Sequence, residues 1–158
     1  MNSIYFEIES EPKGQARGRF VSINGKHWVY SPKNDFKKDV TRYFIENINK
    51  INSNGLKMPY NGGIGVKIVY YMKRPKSMRK IEFWHIKRPD LDNIEKAFLD
   101  GINDSKSIWI DDSQVCWVVK KKIYSQDGFI GVKGKIYFIG NEDGQRKSLG
   151  KENGQDSE

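Results

Sequence analysis

The chain has 158 residues, and its 28 Lys and Arg against 20 Asp and Glu give a formal charge of +8. That length suits one domain with a tail, and a domain of this size buries roughly two-thirds of its unfolded surface, enough for a core without covalent staples. Aromatic residues at 13% argue against a disordered chain, and the single cysteine, Cys116, excludes an intrachain disulfide framework or a cysteine zinc cluster. Two histidines, His27 and His85, are too few for a multi-histidine metal site. The apolar runs fall far short of the roughly 20 residues of a membrane helix. Met1 to Ser10 carries no apolar signal region, so a cytoplasmic protein without a membrane partner is expected.

The charge divides unevenly. Residues 140–158 hold five acids and three bases and are rich in Gly, Asn, Gln and Ser, with Leu149 the only large aliphatic residue. Such a stretch cannot bury enough apolar surface to offset the entropy of ordering, and it reads as a disordered polar tail. The body, residues 1–139, then carries +10, with bases clustered at Lys73, Arg74, Lys76, Arg79, Lys80, Lys87 and Arg88, and again at Lys120 to Lys122. A body of that charge attracts polyanions, although solubility alone is an equally good explanation of charge by itself.

In chain order, Ile4 to Glu9 is a β-rich run and predicts a strand. A basic loop, Pro12 to Arg19, leads into Phe20–Ile23 and Lys26–Tyr30, which Asn24-Gly25 joins as a hairpin because both turn residues tolerate positive φ. Ser31-Pro32 predicts a helix start, and Val40, Tyr43, Phe44, Ile48 and Ile51 continue at helical spacing, for a helix from about Pro32 to Lys50. Ile64 to Met72 predicts a buried strand. Lys73 to Pro89, with two prolines and dense positive charge, predicts an irregular, mobile loop. Leu91, Ile94, Ala97, Phe98 and Ile102 form the apolar stripe of a second helix, from Asp90 to about Asn103. Val115 to Ile123 and Phe129 to Ile139 are the last strands. The order β-ββ-α-β-α-β-β implies an α+β fold: a single small domain with a mixed β-sheet and two helices on one face.

The stretch that carries chemistry runs from Arg88 to Lys96. Pro89 biases Arg88 toward extended backbone, Asp90 falls at the N-cap position, and Asp92 falls in the first helical turn. A capping acid is ordinary at a helix start, where the dipole favours negative charge. Two features add weight to a functional reading. Lys96 lies four residues after Asp92 and so projects from the same helix face. Asp111-Asp112 ends a short apolar segment, Ile108 to Ile110, about twenty residues on. Should the helix pack antiparallel beside the following strand, Asp111 approaches the helix start. Clustered carboxylates repel unless a cation sits among them, and oxygen-only ligation is what Mg²⁺ prefers. Asp100 and Asp104 read as structural or solvated. Asn93 and Glu95 are open between a supporting role beside the acids and solvated helix surface, with the surface reading favoured. Trp109 and Trp117 read as core, and Trp84 as a candidate for stacking on unpaired bases.

These residues resemble the RusA family of Holliday-junction resolvases. The likeness rests on Arg88-Pro89-Asp90-Leu91-Asp92-Asn93 with Lys96 to Asp100, and on Trp109-Ile110-Asp111-Asp112-Ser113-Gln114-Val115. Pro12-Lys13-Gly14, Arg17, Arg19 and Lys120 to Tyr124 strengthen it, and it spans nearly all of residues 1–139. The resemblance implies a Mg²⁺-dependent homodimeric endodeoxyribonuclease that nicks opposite strands of a four-way DNA junction during recombination and repair, with no small-molecule cofactor. It places catalytic residues at Asp90, Asp92, Lys96 and Asp111, with Mg²⁺ held by Asp90, Asp92 and Asp111. Asp112 matches a recurrent second acid. Phosphate contacts are expected from Arg17, Arg19, Lys73, Arg74, Lys87, Arg88 and Lys120. The early loop departs from the family pattern, because Gln15-Ala16 precedes Arg17 and Gly18 stands where Pro is frequent. The alternatives are a branched-DNA or flap nuclease using the same acids, and a non-catalytic nucleic-acid-binding module whose acids only cap a helix and form a turn.

Overall fold

The structure, a computed structural model, describes residues 1–30 and 32–140. Strand β1 (Asn2–Ile8) is followed by the hairpin β2 (Arg19–Ile23) and β3 (Lys26–Tyr30), helix α1 (Asp35–Ile51), β4 (Gly63–Met72), helix α2 (Leu91–Ser105), β5 (Val115–Tyr124) and β6 (Gly131–Ile139). The element order matches the expected one. Ser31 and the tail beyond Gly140 lie outside the described residues.

The main sheet has the order β1-β6-β4-β5. β6 runs antiparallel to both β1 and β4, whereas β4 and β5 are parallel, so the sheet is mixed. The parallel pair needs a crossover, and α2 supplies it. Alternation along each strand sends Phe6, Val66, Ile68, Tyr70 and Ile136 to the face on which the helices pack. Phe98 of α2 sits at the centre of that layer. Its ring lies 5.3 Å from Phe6, 6.4 Å from Phe44 and 6.3 Å from Tyr70, in edge-on or tilted geometry. The helices approach closely at Gly101, where a Cβ would come within 2.9 Å of Lys37 O and Val40. Thr41 Oγ1 donates to Gly101 O at 2.8 Å, and Lys37 pairs with Asp104 at 2.9 Å.

One boundary and one segment differ from expectation. α1 starts at Asp35, not Pro32, because Asn34 is the N-cap: its Oδ1 accepts from Lys37 N, while its Nδ2 donates to Gly14 O. The 73–89 segment is irregular but tied down. Arg74 donates to the carbonyls of Ser125, Arg79 and Glu82 and lies over the Tyr124 ring, and Trp84 forms a β-bridge to Ile123. The segment therefore covers part of the outer edge of β5. Asn24 and Gly25 both have positive φ, as the expected hairpin turn requires. No helix of the described residues is long and apolar enough to cross a membrane. Phe98→Ala should lower stability by about 3–5 kcal/mol in urea unfolding, because it empties the point where both helices meet the sheet.

Candidate active site

The first wall of the site is the start of α2. Lys122 Nζ, on β5, donates to the carbonyls of Lys87 and Pro89, each at 2.6 Å, and so fixes the turn before the helix. Partial burial lowers the Lys122 pKa, and nearby Asp90 opposes that shift. Asp90 occupies the N-cap position with extended backbone, and its carbonyl accepts from Ile94 N at 3.1 Å, yet its side chain makes no capping hydrogen bond. An acid whose only job was capping would use its carboxylate for that purpose. The early loop docks here too: Gln15 N donates to Asn93 O at 3.1 Å. Gly14 packs so closely that an added Cβ would lie 2.4 Å from Asn93 Nδ2.

The second wall is the segment from Ile108 to Gln114. Trp109 is fully buried and anchors it. Gln114 then acts as a brace. Its Oε1 accepts from Ile110 N and Asp111 N at 2.8 and 3.0 Å, and its Nε2 donates to the carbonyls of Tyr60 and Gly62 at 2.9 Å each. Asp111 caps the short 3₁₀ turn Asp112–Gln114 by accepting from Ser113 N at 2.9 Å. Hydrogen bonds from the Ser113 side chain and backbone hold its carboxyl below the usual range. Its neighbour Asp112 is exposed.

Between the two walls lies a cavity of about 350 Å³ lined by Asp92, Glu95, Lys96, Leu99, Asp100, Asp112 and Lys120. Asp92 and Lys96 come together there as expected. Asp112 lines the cavity, whereas Asp111 and Asp90 do not. Among the described residues no three His, Cys, Asp or Glu side chains form a ready-made metal cage, so the expected convergence of Asp90, Asp92 and Asp111 is not seen in a single chain. The reason is local: the Asp111 carboxylate is turned to its own 3₁₀ turn, and Asp90 stands one position outside α2. Glu95 is ion-paired with Lys120, and Lys96 with Asp100 at 3.6 Å. Asp92 and Asp112 have no ion pair among the described residues. Four carboxylates against two ammonium groups leave two uncompensated negative charges, the charge of one divalent cation. Mg²⁺ commonly takes one or two carboxylates and completes its shell with water and phosphate oxygens. The donor set fits that mode of binding.

A family model described as endodeoxyribonuclease RusA matches residues 9–134. The chain belongs to the RusA family. It is therefore an endodeoxyribonuclease, a Holliday-junction resolvase that hydrolyses phosphodiester bonds. The match contains both walls of the cavity and the docked early loop. No curated protein matches the chain.

The expected DNA contacts of this RusA member fare unequally. Arg17, Arg19, Lys73, Lys87 and Arg88 are exposed. Arg74 is not available in the same way, because its guanidinium holds three backbone carbonyls. Lys120 faces Glu95 in the cavity. Glu95, for which the sequence left a supporting role open, and Asp100, read from sequence as structural or solvated, both line the site. The signal for them was present: Asp92, Glu95, Lys96, Leu99 and Asp100 recur at i, i+3, i+4, i+7 and i+8, a single helix stripe. A larger cavity of about 730 Å³ lies along α1, lined in part by Lys33, Lys37, Lys38 and Arg42. It holds no comparable group of acids. Gln114→Ala should cost about 1–3 kcal/mol, since it strips two backbone N–H groups and two carbonyls of their partner. Nuclease activity should fall with it, read by junction cleavage at a temperature where circular dichroism shows the variant folded.

Proposed function

We propose that this chain resolves four-way DNA junctions by a Mg²⁺-dependent hydrolysis, acting as a homodimer in the cytoplasm during recombination and repair. The observation that carries the reading is the cavity at the start of α2, with two carboxylates, Asp92 and Asp112, that have no ion pair among the described residues, beside Lys96 in a body that is otherwise basic. Asp92 and Asp112 would hold the cation, with Asp90 and Asp111 flanking them on the same two segments. Bound Mg²⁺ supplies polarisation of a phosphate oxygen and a water of lowered pKa. Lys96 carries positive charge to the oxygens on which negative charge builds as the phosphodiester is attacked. Glu95 keeps Lys120 at the back of the cavity, and the Gln114 brace keeps Asp112 opposite Asp92. The exposed bases Arg17, Arg19, Lys73, Lys87 and Arg88 would bind phosphates around this centre.

Homodimer formation is supported by the hairpin β2–β3. Cross-strand pairing puts Val21 with Trp28 and Phe20 with Val29 on its two opposite faces. Both faces are uncovered: Phe20 is 83% exposed and Trp28 61%. An isolated two-stranded hairpin is marginal in water, and a twofold partner provides cover while presenting two sites to two equivalent strands.

Labelled four-way junction incubated with protein and Mg²⁺ should yield paired nicks, and EDTA should abolish them. Asp92→Asn and Asp112→Asn should each lower the rate by roughly a hundredfold or more, with junction binding retained. Full cleavage in EDTA or in Asp92→Asn would exclude the metal–carboxylate mechanism. Flap and linear duplex substrates at equal salt decide between a resolvase and a broader branched-DNA nuclease. Light scattering should give a dimer for the native chain, and Phe20→Ser with Trp28→Ser should shift it toward monomer without loss of the main-sheet circular dichroism. A native monomer at micromolar concentration would remove the dimer from this account.

A further inference from the structure

The face of the main sheet turned away from the helices carries no covering element among the described residues. Its rows can be read from the register. Tyr5, Lys135, Lys67 and Val119 lie side by side across β1, β6, β4 and β5, and Glu7, Lys133, Val69 and Lys121 form the next row. Tyr5 is 51% exposed and Val119 58%. A depression of about 460 Å³ on this face is lined by Lys67, Lys121, Lys133 and Lys135, with Lys120 at its β5 edge. The one carboxylate beside it, Glu7, pairs with Lys133 at 3.5 Å, and the Lys120 ammonium turns to Glu95 on the helix side, so Lys67, Lys121 and Lys135 have no ion pair among the described residues. Lys67 and Lys135 are direct cross-strand partners at its centre. Like charges in that relation destabilise a sheet, so the arrangement is costly unless an anion lies over it. Aromatic rings supply the rest of the surface: Lys67 lies over Tyr137 at 5.5 Å, Lys133 over Phe129 at 4.3 Å, and Trp117 packs against Tyr137 at 5.3 Å.

We propose that this lysine–aromatic face is a second DNA-binding surface, which grips the backbone of a junction arm outside the cleavage cavity. The proposal rests on the resolvase reading and extends it. Lys120 borders both the acidic cavity and this depression, so β5 is the ridge over which one arm passes from one to the other. Four strands at roughly 4.8 Å spacing make a platform about 14 Å wide, enough to meet one side of a duplex. A second copy of the chain fits poorly here, because a twofold contact would set each row of lysines against its equivalent.

The test compares the native chain with a Lys67→Gln/Lys135→Gln double variant and with a Lys50→Gln/Lys57→Gln control that removes the same charge elsewhere. Binding of a fluorescent four-way junction is measured by anisotropy in EDTA over a range of salt. The slope of log K against log salt should shrink by about 1.8 in the first variant, for two lost phosphate contacts, and by much less in the control. The affinity of the first variant should fall at least tenfold, while kcat at saturating junction stays within twofold of native. Removal of a like-charge pair should leave the thermal melt unchanged or higher. Equal slopes in the two variants, or no change in either, overturn the proposal. Loss of the dimer in the first variant with its slope unchanged overturns it in favour of a protein partner. A native chain that cleaves no junction but still shows the Lys67 and Lys135 slope effect refutes the resolvase reading and leaves the DNA-binding face intact.

Discussion

Lys122 reaches across from β5 to the carbonyls of Lys87 and Pro89 and thereby sets the point at which α2 begins. The rest of the site follows from that position. With the start fixed, the apolar stripe of α2 packs Ile94, Ala97, Phe98 and Ile102 into the core, and the polar stripe from Asp92 to Asp100 is left facing β5 and the Asp112 turn. The ammonium group that makes these bonds is partly buried, and burial lowers its pKa, a shift that the nearby Asp90 opposes.

The molecule sets opposite charges on the two sides of one strand. On the helix side of β5, acids outnumber bases in a small cavity. On the open side, lysines outnumber carboxylates, with Glu7 paired to Lys133 alone. Each arrangement is unfavourable in isolation, since like charges repel, and each is relieved by a ligand of opposite sign. A divalent cation suits the first and a phosphate backbone the second. β5 brings the two surfaces side by side.

Packing supplies the rigidity for this. Gly101 lets α1 and α2 approach closely, and Thr41 and Lys37 tie them together, so α2 is held along its length and not only at its start. Gln114 does the same for the opposite wall with four hydrogen bonds from one side chain. The hairpin β2–β3 differs, because its side chains are exposed on both faces and the neighbouring Gly14–Gln15 contact with Asn93 is what ties the preceding loop to the body.

The amino-acid order by itself determined the elements, their sequence and the α+β class, because periodicity and turn chemistry are local: the 3.6-residue stripe of α2, the β-branched run of β4 and Asn24-Gly25 each act over a few residues. It also marked Asp92 and Lys96 as partners on one helix face, and the family motif around them. Only the tertiary structure decided which carboxylate stands opposite them. Asp111 and Asp112 are adjacent in sequence, and the choice between them depends on a 3₁₀ turn capped by Asp111 and braced by Gln114 against residues some fifty positions earlier. The same holds for Arg74, whose charge reads as a phosphate contact until the fold brings three carbonyls to it, and for Glu95, which becomes part of the site only when β5 delivers Lys120. Charge is legible in a sequence, but what neutralises it is a matter of distance, and distance is set by the packing of elements remote in the chain.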